Sequence, residues 1–357
     1  GHEVTAVDTF SAAPGSHSRG AARHIEVPPP AQETIAFVDA VVDAVERHRI
    51  HWVLPAFEEV FYLAAHRDRF PEGTELFFPD IDTLRRVHDK VSFADLCRTL
   101  GLPVAESVVA TNPDELRAAV GRFDHWFARA AYGRGGLNIL TNTGQLAGEG
   151  SLDDAVPTPD DPWICQEYLQ GVDRCSWSVV HHGQVVLHST YEHPLTIDGR
   201  GGIVFESVDA PETLAAAQAV AGELQWHGQI SMDFLRTDDG VHHVVECNPR
   251  PTDGCTLATT PEFELALFGE VPPEPVVVPA GRKTEIGEAV LRDVLEHLED
   301  PWRALARIRV KAVAGLRAAG HPDPLLAPRH REVELRQVLV RPAAPEHHLA
   351  RRARALA

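Results

Sequence analysis

The spacing of apolar and polar positions changes character along the chain. From about Thr34 to Arg49, Ile35, Val38, Val41, Val42 and Val45 recur at helical spacing and predict an amphipathic helix. His51 to Ala56 is an apolar run of strand length. Phe57 to Arg69 returns to helical spacing, and Glu75 to Phe78 is a short strand stopped by Pro79. Asp82 to Leu100 reads as one long helix, ended by Gly101-Leu102-Pro103. Asn112 before Pro113, with Glu115 in the first turn, marks a further helix start. A strand at Glu3 to Asp8 opens the chain. This alternation predicts a small parallel sheet with flanking helices. Such a sheet normally starts with one more strand and helix, and neither that unit nor an initiator Met precedes Glu3.

Beyond about residue 125 the pattern turns to strands: 125–130, 137–141, 163–169, 174–181, 184–191, 203–208, 228–236 and 241–247, interrupted by one helix over Pro211 to Leu224. This second part is expected to be α+β with antiparallel hairpins. Pro272-Pro273-Glu274-Pro275 marks a domain edge. Residues 284–318 have helical spacing, and the last forty, rich in Arg, Pro and His, predict no element.

The stretch 228–250, GQISMDFLRTDDGVHHVVECNPR, carries the chemistry. Asp239-Gly240 predicts a two-residue hairpin turn. With those two as the loop, Phe234 pairs with Val245 and Met232 with Cys247 on an apolar face. Asp233 then pairs with Glu246 and Ser231 with Asn248 on a polar one. Two carboxylates directly opposite repel each other and raise each other's proton affinity. A divalent cation removes both penalties, and oxygen donors from Asp233, Glu246 and Asn248 suit Mg2+ rather than zinc. Arg250, two residues on, is placed to meet an anionic substrate. The bland alternative is a surface hairpin with a solvated acidic face.

Composition narrows the classes. The chain has 357 residues, enough for two domains. Apolar residues at 44% and charged residues at 24% are ordinary globular values, which argues against bulk disorder. No run of eighteen apolar residues occurs, so no membrane span is expected. Cys97, Cys165, Cys175, Cys247 and Cys255 form no C-x-x-C pair, which suggests reduced thiols and a cytoplasmic setting. The net charge is −19, yet Pro301 to Ala357 carries eleven Arg and one Lys against four acids, a net +8. The acidic remainder argues against a nucleic-acid partner. The basic tail is expected to pack on that body or on a second subunit; an anion-, nucleic-acid- or membrane-binding tail is the other reading. Lysines occur only at 90, 283 and 311. The twenty histidines are dispersed, with His181-His182 and His242-His243 at turns or strand ends, and none is assigned to a metal.

Asp233-Phe234, the Asp-Gly turn and Glu246-Cys247-Asn248-Pro249-Arg250 together resemble the metal-binding hairpin of the ATP-grasp superfamily. Other landmarks resemble that family in the same order: Asp89-Lys90 opening a helix that ends at Gly101-Leu102-Pro103, Gly133-Arg134-Gly135-Gly136 as a phosphate loop, and Gln166-Glu167-Tyr168-Leu169 with Gly171-Val172-Asp173 as the interlobe hinge. The likeness covers roughly residues 1–270. It implies a Rossmann-like α/β domain over 1–85, a two-lobed α+β ATP-grasp domain over 86–275 (lobes about 103–165 and 166–275), and a basic helical extension over 276–357. It implies ATP and Mg2+ (or Mn2+) as cofactors. Lys90, Arg129, Gly133, Gly135 and Gly136 would face the phosphates, Gln166, Glu167 and Leu169 would frame the adenine, and Asp173 would hold the ribose. Arg250, Lys90 and Arg129 are the expected catalytic residues, and Arg200 and Arg250 the expected substrate contacts. Residues 191–205, which contain Arg200, are equally readable as a substrate loop or a hairpin connection.

The implied activity joins a small-metabolite carboxylate, such as an amino acid, to an amine through an acylphosphate. Bicarbonate activation, and nucleotide binding without turnover, are the alternatives. Small molecules are the expected partners, and the resemblance also implies a homodimer. The sequence departs from the family at Arg129-Ala130, where a lysine and a proline are usual. Arginine keeps the charge but presents a planar fork.

Overall fold

The computed structural model describes residues 2–11, 13, 17–133, 139–197 and 201–286, which belong to one contiguous unit. The N-terminal part alternates strands and helices. β1 (Val4–Asp8) pairs in parallel with β2 (Ala21–Glu26), and α1 (Thr34–His48) follows. β3 (Trp52–Val53) pairs in parallel with β4 (Glu75–Leu76), with α2 (Glu59–Ala65) between them. Among the described residues these are two separate two-stranded sheets, not the single parallel sheet expected. The apolar run 51–56 forms only two strand residues, because Pro55 has no N–H to donate to a ladder. β2 was not predicted: Ala-Ala-Arg-His-Ile-Glu has no apolar alternation, and none of its residues is fully buried.

The long helix expected over 82–100 is two: α3 (Ile81–His88) and α4 (Lys90–Thr99). Asp89 breaks it with ψ 113°, and its carboxylate accepts from the N–H groups of Val91 (2.8 Å) and Ser92 (3.2 Å). An aspartate competes with the helix for its own backbone donors, so it caps more readily than it continues. This break aims Lys90.

β5 (Ser107–Ala110), α5 (Pro113–Val120), β6 (Trp126–Ala130), β7 (Ile139–Thr141) and β8 (Trp163–Glu167) follow. Their strands form an antiparallel sheet in the order β5-β8-β6-β7. Asn112 caps α5 as expected, accepting from Glu115 N–H at 2.9 Å. After β8 and three intervening residues, the chain enters a larger sheet through β9 (Gly171–His181), β10 (Gln184–Ile197) and β11 (Gly201–Ser207). After α6 (Pro211–Leu224) come β12 (Gly228–Thr237), β13 (His242–Asn248), α7 (Thr260–Phe268), β14 (Val276–Val277) and β15 (Lys283–Glu285). The order is β13-β12-β9-β10-β11-β15, with β14 parallel to β10. Residues 276–277 and 283–285 therefore extend this sheet, where a helical extension beginning at 276 was expected. The rest of the predicted helix 284–318 and the basic tail lie outside the described residues.

Strand alternation sorts the large sheet into two faces. Ile230, Met232 and Phe234 of β12 join Val244 and Cys247 of β13 in a core with Val38, Leu63, Leu84, Phe93 and Trp226. That core joins the N-terminal helices to the sheet. The opposite face holds Trp177, Tyr191 and Phe205, which pack with Leu257 and Leu267, and it also carries the polar groups described below. Where the N-terminal part meets the start of β12, a β-carbon on Gly228 (φ 137°) would lie 2.8 Å from the Phe77 carbonyl oxygen, so glycine permits the contact.

Helix α7 was missed in the sequence, although Thr259-Thr260-Pro261-Glu262 is a capping box with proline in the first turn. Glu262 also takes a two-pronged bond from Arg282 (2.5 and 2.7 Å). Arg282 holds the Glu262 carboxyl down at about 2, against a burial effect that raises it. A depressed carboxyl contributes stability that is present above its unfolded value and lost as pH falls toward the folded one. Between pH 4.5 and about 2 the protein should lose about 2 kcal/mol through this pair, after allowance for solvent screening. Glu262→Gln should be less stable at neutral pH and lack that increment of acid sensitivity, as read from urea midpoints at several pH values.

Candidate functional site

The polar groups of the large sheet gather on β12 and β13. Asp233 faces Glu246, and Ser231 faces Asn248, as the sequence register predicts. The turn that leads there is different. Thr237 N–H donates to Val241 O at 3.0 Å, leaving Asp238, Asp239 and Gly240 as a three-residue loop, with Gly240 at φ 89°. The pairing is consequently one residue short: Phe234 faces Val244, not Val245. A bulge at Val245 absorbs the extra residue and restores the predicted pairing from Asp233 onward. Val244 and Cys247 can thus share the apolar core although they are three positions apart, an odd spacing that would otherwise put them on opposite faces.

The bulge also exposes a carbonyl. Arg129, near the end of β6, donates to Val245 O through Nη2 (2.7 Å) and to Glu246 Oε2 through Nη1 (3.0 Å). Its Nε has no partner among the described residues. Lys90 approaches the same oxygen, with Nζ 3.6 Å from Glu246 Oε2, and donates to Gly133 O at 2.5 Å. Both cations are buried. Asp89 locks the arrangement by accepting from Tyr132 OH (3.0 Å), while Lys90 N–H donates to Ala131 O (3.2 Å). The two positive charges expected to face phosphate thus hold a carboxylate that was expected to hold metal.

The paired carboxyls respond unequally. Burial and the neighbouring Glu246 push Asp233 up to about 7. Burial also acts to raise Glu246, but Arg129 and Lys90 outweigh it and hold that carboxyl below its ordinary value. Asn248 Nδ2 donates to Asp233 Oδ2 (3.1 Å), and Asn248 Oδ1 accepts from Arg250 Nη2 (3.3 Å). Asp233 therefore tends to keep a proton where an oxygen-coordinated cation would remove the repulsion. The donor set Asp233, Glu246 and Asn248 fits Mg2+ on chemical grounds.

Arg250 stands over the Phe57 ring at 4.4 Å and lines a pocket with Glu58, Phe61, His88, Lys90, Gly133, Glu246 and Asn248. Its backbone is anchored to the sheet. Ser231 Oγ donates to Arg250 O (2.9 Å), Thr252 Oγ1 donates to Ser231 Oγ (3.0 Å), and Tyr191 OH lies 2.8 Å from Thr252 Oγ1. Burial and the nearby Lys90 hold His88 down at about 4, so it is neutral at pH 7. Phe57, Phe61 and His88 went unnoticed in the sequence because they belong to N-terminal segments that only the fold brings here. Ser231 was visible through its pairing with Asn248.

The remaining expected residues lie around this centre. Gln166 and Glu167 end β8, beside β6, and the chain crosses from the small sheet to the large one between Glu167 and Gly171. The strand stops at Glu167, so Leu169 stands in the crossing itself, not in a strand. The Glu167 carboxylate accepts from Glu106 N–H (2.9 Å). Asp173 is in register with Leu235, two residues from Cys175, which faces Asp233. Asp173 therefore shares the face of Asp233. Gly133 is beside Lys90, whereas Gly135, Gly136 and Arg200 lie outside the described residues. Residues 191–197 and 201–205 are paired parts of β10 and β11, the hairpin reading of that stretch.

Removing one partner of a buried ion pair leaves the other uncompensated. Arg129→Ala should destabilise the protein by about 3 kcal/mol in urea unfolding. Arg129→Lys should cost less, because one ammonium replaces the charge but cannot reproduce the fork to Glu246 and Val245 O. A loss under about 1 kcal/mol for the alanine variant would remove the structural role of this pair.

No family model matches the sequence. Solved structures do match the fold. An ADP complex of PurK, N5-carboxyaminoimidazole ribonucleotide synthetase, is 14% identical with a TM-score of 0.61, over 82% of this chain and 78% of that one. N5-carboxyaminoimidazole synthetase from Staphylococcus aureus, complexed with ADP, is 12% identical with a TM-score of 0.60, over 84% and 80%. Biotin carboxylase from Campylobacter jejuni, in a β,γ-ATP complex, is 13% identical with a TM-score of 0.59, over 76% and 66%. With its four-stranded and larger sheets meeting at a buried cluster of carboxylates and cations, this chain has the fold of these three structures, the ATP-grasp fold.

Proposed function

We propose that the protein is an ATP- and Mg2+-dependent ligase that joins a carboxylate to an amine through an acylphosphate. The observation that carries this reading is the Asp233–Glu246 pair across β12 and β13, faced by Lys90 and Arg129 and flanked by Arg250. A solvated acidic hairpin would not hold two buried cations against one carboxylate.

In this reading the nucleotide lies between the two sheets. Gln166, Glu167 and Leu169 frame the adenine, with the main chain supplying its hydrogen bonds, since the Glu167 carboxylate is engaged by Glu106 N–H. Asp173 accepts from the ribose hydroxyls. Gly133, with Gly135 and Gly136, brings backbone N–H groups to the phosphates, and Lys90, already on Gly133 O, adds charge there. Asp233, Glu246 and Asn248 hold Mg2+, which supplies charge neutralisation at the phosphates. Arg129 holds Glu246 in position and contributes positive potential from a site with little water, where electrostatic stabilisation is strongest.

Arg250, fixed over Phe57 and tied through its backbone to Ser231, orients the acid, with Arg200 as the second candidate contact. A carboxylate oxygen bonds to the γ-phosphorus as the bond from that phosphorus to the β–γ bridging oxygen breaks, releasing ADP. The amine nitrogen then bonds to the acyl carbon, the acyl C–O bond to phosphate breaks, and nitrogen loses a proton. The products are an amide and phosphate.

A second reading takes bicarbonate as the acid. The fold neighbours favour it. They include carboxyaminoimidazole synthetases, biotin carboxylase, and a 2-oxoglutarate carboxylase domain solved with MgADP and bicarbonate at a TM-score of 0.58 and 15% identity.

ADP release measured with ATP, Mg2+ and pools of acids and amines decides between them. Turnover that needs both an acid and an amine, with a product lighter than their sum by one water, is the result expected of the ligase. Turnover stimulated by bicarbonate alone supports the second reading, and nucleotide binding with no stimulated turnover favours a binding module. Asp233→Asn and Glu246→Gln should each lower the Mg2+-dependent rate by roughly a hundredfold or more. Near-normal rates would remove both from the metal site.

A further inference from the structure

The strongest unexplained cluster lies at the start of β12, about 20 Å along the strand from Asp233. His227 immediately precedes the strand, and its Nε2 is 2.6 Å from Glu75 Oε1 on β4. The ring of His182 stacks on His227 at 4.1 Å with an interplanar angle of 5°. One donor atom from each of Glu75, His182 and His227 lies within 4.8 Å of the others.

Two features set this group apart from a hydrogen-bonded surface patch. First, His182 and Gly183 are the two loop residues between β9 and β10, with φ of 45° and 86°. A turn of this kind favours asparagine or glycine in its first position, and histidine is among the few other residues that adopt positive φ, so the turn fixes the backbone from which the His182 ring projects. Second, His227 is 9% exposed and turns Nε2 toward Glu75, so the ring is held with that nitrogen in the group; its other nitrogen, Nδ1, is buried with no partner among the described residues and takes no part in the group. The neighbours offer it little. Phe77 stands edge-on at 4.8 Å, and His181, 5.4 Å away, is tied through Nε2 to Ala266 O at 2.8 Å.

The geometry points to a site for one divalent zinc-class ion, held by Glu75, His182 and His227. Two imidazoles and a carboxylate are borderline N and O donors, the set that zinc takes with a water in the fourth position. Donors around such an ion stand about 3.3 Å apart, given metal–ligand lengths near 2.0–2.2 Å. Glu75 and His227 need only separate slightly. The contraction falls on His182, which is exposed at a hairpin tip and can swing off the stack to present a ring nitrogen. The ion would join β4 of the N-terminal part to the β9–β10 turn and the start of β12. That is the seam where the Gly228 backbone already touches Phe77. The site is therefore a clip across two parts of the molecule, chemically distinct from the oxygen-donor Mg2+ site.

The test uses the full chain, stripped of metal and kept in saturating Mg2+. Zn2+ is titrated in competition with a chromophoric chelator, and Co2+ absorbance reports the coordination. One tight equivalent of Zn2+, a tetrahedral-type Co2+ spectrum and a Zn2+-dependent rise in Tm are expected. His182→Ala removes an exposed side chain and should fold normally. It should weaken Zn2+ binding by roughly thirtyfold or more and abolish the Tm rise. Glu75→Gln should act in the same direction, and Asp233→Asn should leave the Zn2+ equivalent in place. Unchanged Zn2+ affinity in His182→Ala, or no stoichiometric binding by the unaltered protein, overturns the assignment.

Discussion

Two carboxylates facing each other across a strand pair are the constraint around which this molecule is arranged. Asp233 and Glu246 are held opposite by the β12–β13 ladder, whose other face is locked into the core through Met232, Phe234 and Cys247. Neither can turn away without exposing apolar surface. The repulsion is therefore met locally: Arg129 and Lys90 take Glu246, and Asp233 rises toward neutral pH. The cations come from different regions. Arg129 belongs to the small sheet and Lys90 to the helix after the N-terminal segment, so the charge cluster also joins those regions to the large sheet.

The bulge at Val245 shows how backbone irregularity serves that cluster. It brings Glu246 back opposite Asp233 and leaves the Val245 carbonyl for Arg129. Asp89 plays the same part in the N-terminal region. By breaking a helix and capping the next, it places Lys90 at a helix start against Ala131 and Gly133. In both places one residue out of pattern aims a charged side chain.

Much of the site was legible because its chemistry is local. Asp233, Glu246, Asn248 and Arg250 lie within eighteen consecutive residues on one hairpin, where period-two alternation settles which side chains share a face. The turn has three residues where Asp-Gly predicts two, since that pair also suits a three-residue loop with glycine at positive φ. The bulge, which alternation cannot reveal, restores the expected pairing from Asp233 onward. The N-terminal part forms two short parallel pairs where alternation predicts one sheet, because short apolar runs have the same pattern in a strand as in a packed loop. Helix α7 has a capping box, but only nine residues and no apolar stripe at helical spacing to announce it. The Glu75–His182–His227 group is not legible in the sequence, because Glu75 lies more than a hundred residues from either histidine.

By itself, then, the sequence determined the antiparallel second half, the facing carboxylates and the residues that flank them. These follow from side-chain period and turn chemistry within a few residues. Only the tertiary structure decided what those carboxylates meet. Arg129 and Lys90 converge on Glu246 from 117 and 156 residues away, and Phe57 arrives under Arg250 from the N-terminal part. Such contacts depend on how layers pack. Packing is set by the summed burial of many apolar side chains, not by the pattern of any one segment.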